Sequence, residues 1–155
     1  MTALTAYLKG RLHGSYRTLK EYFCDVVGID ISAGFLAKQI KKVSAALKSP
    51  YEELEEFLKE QEHLYGESYF LFVEDTAIAP TNNFAEQGIR TLVLDRIVTQ
   101  GVRSDAGNEW HERFWTTVAT CRRLGMNVMS FLREAIFAVA HGLSPPSLLP
   151  KTATK

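Results

Sequence analysis

The sequence predicts a mainly helical protein. Three observations carry this. Apolar residues recur at spacings of three and four over most of the chain. Serines and asparagines precede these stretches and glycines close them, as helix caps and stops do. Only one short run, Tyr69-Phe70-Leu71-Phe72-Val73, has the aromatic and β-branched make-up of a strand.

The elements follow in chain order. Ser15 caps a helix over 16–27 with Leu19, Phe23 and Val26 or Val27 on its apolar face, and Gly28 ends it. A connector over 29–31 leads to Ser32, which caps a second helix reaching about Lys48. Leu36, Ile40, Val43 and Leu47 form one stripe on that helix, and Lys38, Lys41, Lys42 and Lys48 lie mostly off it. Ser49-Pro50 marks a break, and a third helix runs over 50–65 with Leu54, Phe57, Leu58 and Leu64 inward. After the strand and a turn over 79–81, Thr81 or Asn82 caps a helix over 83–95. A loop over 101–107 precedes a helix over 108–124 that Gly125 stops. Asn127 caps a last helix ending near Gly142, and a loose Pro-containing tail follows.

The hydrophobic fraction of 46% and charged fraction of 23% are those of an ordinary globular protein. No apolar run approaches the roughly 18 residues of a membrane span, and no secretion signal is visible, so a cytoplasmic protein is expected. Cys24 and Cys121 stand far apart without a C-x-x-C pattern and read as two small buried apolar residues. His63 and Glu67, four apart, could share a helix face as metal ligands do, a spacing that is also common by chance.

Net charge is zero but segregated. Residues 9–48 hold 8 basic and 3 acidic groups; residues 51–75 hold 1 and 9; residues 76–155 hold 9 and 6. A solvated acidic helix explains the middle, and the basic flanks are compatible with phosphate contact. Two helices joined by a glycine-containing connector, the second bearing Lys38, Lys41 and Lys42, give the outline of a helix-turn-helix. The same outline fits a structural hairpin with solvated lysines. Asn82, Glu86 and Arg90 are four apart and share a helix face. Glu86 there is either a carboxylate held at the border of core and solvent or half of a surface ion pair contributing about 0.3–0.5 kcal/mol.

The run Pro80-Thr81-Asn82-Asn83-Phe84-Ala85-Glu86, with Ile89-Arg90, Arg96 and Thr99-Gln100-Gly101-Val102-Arg103-Ser104-Asp105-Ala106-Gly107, resembles the C-terminal block of insertion sequence 66 family transposases. Trp115-Thr116, Phe131-Leu132-Arg133-Glu134-Ala135 and Pro146-Ser147-Leu148-Leu149-Pro150 continue the resemblance. Residues 16–43 are similar to the helical region that precedes the catalytic core in that family.

The resemblance implies a DDE-type enzyme of DNA transposition, a mobile-element recombinase with a ribonuclease H-like core. Three carboxylates of such a core hold two Mg²⁺ ions at a DNA phosphodiester. Glu86 matches the third acid, as catalytic residue and metal ligand. Asn82, Asn83, Arg90 and Arg96 match residues that would orient it or touch DNA. The two aspartates have no counterpart, because the acidic helix passes almost at once from Glu67 into the strand run at Tyr69. Gln87 stands where many members have arginine.

The implied organisation is a helical region over 1–66, the helical end of a ribonuclease H-like domain over 67–150 with at most a small strand element, and a loose tail over 151–155. The implied function is that of an internally truncated transposase, inactive alone, with transposon-end DNA and full-length transposase subunits as partners and no membrane. The alternative is a DNA-binding or subunit-interaction module that regulates a full-length relative.

Overall fold

The computed structural model describes the backbone of residues 1–65 and 104–150 and the side chains of residues 1–59 and 104–150. Every regular element among them is a helix: α1 (Thr2–Arg11), α2 (Tyr16–Asp25), α3 (Ala33–Ala46), α4 (Lys48–Tyr65), α5 (Asp105–Arg123) and α6 (Val128–Ala140). The protein is therefore mainly α. The strand expected over 69–73 and the helix over 83–95 lie outside the described residues.

Local chemistry sets the helix ends. Ser15 Oγ accepts the Thr18 N–H at 3.0 Å, Ser32 Oγ accepts the Phe35 N–H at 3.1 Å, and Asn127 Oδ1 accepts the Ser130 N–H at 3.0 Å. Each satisfies a donor that the first helical turn leaves unpaired. Ser104 does the same for Gly107, so α5 starts at Asp105, three residues earlier than the sequence suggested. Gly125 closes α5 at φ +65°, letting the Met126 N–H reach back to Cys121 O at 2.7 Å. That is the left-handed stop for which glycine is suited.

Two elements differ further from expectation. The helix α1 carries no acidic first turn and no side-chain cap, and its buried positions are Ala3, Thr5, Ala6 and Gly10. Small and polar residues leave no apolar stripe to read. The break before α4 falls at Leu47 rather than at Ser49-Pro50. Proline is tolerated in a first turn, where its missing N–H costs nothing, and Pro50 there is fully buried. Leu54 points inward as expected, but Leu58 is 53% exposed.

The helix α3 packs against all five others. Its stripe Leu36, Ile40, Val43 and Leu47 is at most 6% exposed. Burial of such side chains stabilises by about 1.5–3 kcal/mol each. The main core joins Val43 and Leu47 to Ala6 of α1, Leu54 of α4, Phe114 and Val118 of α5 and Leu132 of α6. A smaller cluster seats Leu19 and Phe23 of α2 on Leu36. Residues on both sides of position 66 thus share one core.

Leu148, in the stretch read as a loose tail, is fully buried in that core. The cysteines also part company: Cys121 is buried, whereas Cys24 is exposed. No helix among the described residues is long and apolar enough to cross a membrane.

Candidate nucleic-acid interface

Because one stripe of α3 is committed to the core, the opposite stripe is forced outward. At about 100° per residue, Gly34, Lys38, Lys41, Lys42 and Ala45 fall on that opposite side. All five are exposed. Lys38 stands three and four residues from Lys41 and Lys42, so neighbouring ammonium groups repel. Such like-charge pairs cost a helix a few tenths of a kcal/mol each at about 0.2–0.5 kcal/mol per pair.

No ion pair among the described residues relieves them. The carboxylates that pair do so elsewhere: Glu21 with Arg17 at 3.0 Å, Asp30 with Lys20 at 3.5 Å, Glu52 with Lys48 at 3.7 Å and Glu55 with Lys59 at 2.8 Å. Glu52 and Glu55 of α4 thus take their cations from α4 itself, and no ion pair among the described residues reaches the lysine row on α3.

Side-chain hydrogen bonds tie α3 to its neighbours at two places. Arg113 of α5, with a side chain 15% exposed, donates from Nη1 to Ser44 O at 3.3 Å and Ser44 Oγ at 3.1 Å. Glu109, 3.0 Å from the same nitrogen, compensates its charge. This ties the C-terminal half of α3 to α5. Toward the middle, Thr2 Oγ1 of α1 donates to Gln39 Oε1 at 2.7 Å.

That bond also defines what the face can recognise. Gln39 is the sole amide side chain of α3 and is buried. The exposed strip therefore offers ammonium groups and no fork for a base edge, which suits phosphate oxygens. The connector over 26–32 is longer than the three- or four-residue turn of a helix-turn-helix. The pair α2 and α3 shares the general outline of that motif, with α3 embedded among the other helices.

Lys38, Lys41 and Lys42 are thus brought together. Glu86, Asn82, Asn83, Arg90 and Arg96 lie outside the described residues, as do the side chains of His63 and Glu67. Among the described residues no group of three or more His, Cys, Asp or Glu side chains converges as metal ligands would.

Phe35, in the first turn of α3, was not among the sequence candidates. It is 40% exposed and stands about 20° from Lys42 and about 60° from Lys38 around the helix axis. Its signal was an aromatic residue standing off the 36, 40, 43, 47 stripe.

Comparison with known protein families, with curated proteins and with solved structures finds no match to this chain.

Proposed function

We propose that this chain is a DNA-contacting helical module of an insertion sequence 66-type transposase, without strand-transfer activity of its own. One observation carries the DNA reading: Lys38, Lys41 and Lys42 are exposed, adjacent and without an ion-pair partner among the described residues. The motif run from Pro80 to Gly107 supports the family. Transposon-end DNA is the partner, with full-length transposase subunits as the second one, and the cytoplasm is the compartment. Mg²⁺ enters no step of this reading, since the sequence has no counterpart of the two aspartates that would hold it together with Glu86.

The test is a salt titration of duplex binding by fluorescence anisotropy. Three phosphate contacts give a slope of log K against log salt of about −2.7, or about a 40-fold loss between 50 and 200 mM salt. Lys38→Gln, Lys41→Gln and Lys42→Gln together remove most of that slope and weaken all duplex sequences alike. Absence of binding at low salt, or an unchanged slope in the triple variant, would defeat the reading. A second arm measures Mg²⁺-dependent cleavage of transposon-end DNA. Turnover that Glu86→Gln abolishes would contradict the absence of strand-transfer chemistry.

A further inference from the structure

Four features at the N-terminal end of α3 bear on the kind of nucleic acid this face takes. Phe35 is 40% exposed, whereas Phe23, Phe114 and Phe131 are at most 2% exposed; Phe137 of α6, at 58%, is the more exposed phenylalanine among the described residues, but it stacks on His141 with centroids 4.0 Å apart. Its backbone is pinned, because its N–H donates to Ser32 Oγ at 3.1 Å. The connector leading into α3 exposes Val26, Val27 and Ile29 at 68%, 42% and 41%. Asp30, the carboxylate of that connector, is tied to Lys20 at 3.5 Å.

Phe35 and Lys42 are separated by seven residues of helix, about 10 Å along the axis at about 1.5 Å per residue. Stacked nucleotides advance about 3.4 Å each along one strand, so the span matches about three nucleotides. A ring at one end and three ammonium groups beyond it are the two parts that single-strand sites combine. The ring gives a base a face to stack on, and the cations follow the phosphates. In an intact duplex the base faces are already stacked on one another, and the ring would find no partner.

We infer that the α3 face is a short binding site for single-stranded DNA, with one unpaired base stacked on Phe35 and the following phosphates held by Lys38, Lys41 and Lys42. This rests on the DNA-contacting reading above and deepens it by naming the strand state of the ligand.

The experiment compares the whole chain and its Phe35→Ala and Phe35→Tyr variants. The probes are a labelled oligothymidylate of about a dozen nucleotides and a blunt duplex of the same length. Loss of one stacked base lowers single-strand affinity by roughly 5- to 150-fold in Phe35→Ala. Duplex affinity changes less than about twofold, and Phe35→Tyr restores single-strand binding because its ring stacks equally well. Circular dichroism of each variant confirms that the fold is kept, and a fold lost in Phe35→Ala is replaced by the Phe35→Tyr against Phe35→Ser comparison. Duplex binding through the lysines with equal losses on both probes, or with none, overturns the single-strand assignment alone. No binding of either probe at low salt overturns the DNA-contacting reading with it. Self-association in sedimentation that Phe35→Ala abolishes, with single-strand affinity unchanged, assigns the face to a second copy and also overturns the inference.

Discussion

Replacing Gly10 by alanine sets two quantifiable effects against each other. Gly10 is the penultimate residue of α1, where alanine is intrinsically better by at most about 1 kcal/mol. The added Cβ, however, would sit 2.1 Å from Phe114 Cε1 and 2.5 Å from Cδ1 and Cζ. Carbon atoms in favourable contact stand about 3.5–4.0 Å apart, so helix or ring must yield by more than an ångström. Phe114 has little room to yield. It is fully buried, stacked on Trp110 with centroids 4.7 Å apart and edge-on to Trp115 at 5.7 Å.

Overpacking of this kind costs about 1–3 kcal/mol, and the caged ring puts this site at the upper end. With the propensity gain deducted, the net destabilisation is about 2 kcal/mol. For a chain of this size that lowers Tm by roughly 4–8 °C. Thermal melts followed by circular dichroism read it directly. A double-mutant cycle locates the cause: Phe114→Leu alone costs about 1–2 kcal/mol, and in the Gly10→Ala background it relieves the clash, giving a coupling of at least about 1 kcal/mol. A Gly10→Ala protein that melts at or above the wild-type temperature, or strict additivity in the cycle, would refute the close approach of α1 to α5.

Three further outcomes follow from burial. A thiol reagent at pH 8 modifies Cys24, which is exposed, and spares Cys121, whose thiol burial pushes up to about 11; two thiols reacting at equal rates in the native protein would contradict this. Because the folded state keeps the Cys121 proton that the unfolded chain releases near its ordinary value of 9.0, stability falls as pH climbs from there toward 11, by up to about 1.4 kcal/mol per pH unit in urea melts. Leu148→Ala removes a fully buried side chain from the main core and costs about 2–5 kcal/mol, whereas an effect below about 0.5 kcal/mol in the same melts would mean that the C-terminal stretch does not help hold the core.

The elements that sequence alone made legible are those whose signals are local. Ser15, Ser32 and Asn127 cap within three residues, and the 36, 40, 43, 47 stripe needs only helical periodicity. The lysine row was legible for the same reason, since a filled apolar stripe leaves its opposite side to water. What escaped depends on distant partners. Ala3, Ala6 and Gly10 become core positions only because Phe114 and its neighbours lie against them. Leu148 looks like any residue in a proline-flanked tail until the main core is seen to include it. Arg113 drew no notice in the sequence, because its bonds to Ser44 span 69 positions. Glu86 and the residues grouped with it lie outside the described residues, so their reading rests on the motif alone.

A helix braced on five sides has little freedom left to spend when something docks on the sixth. A ligand meeting the outer strip of α3 would find a backbone already set by five packed neighbours, so binding there would require no folding of α3 itself.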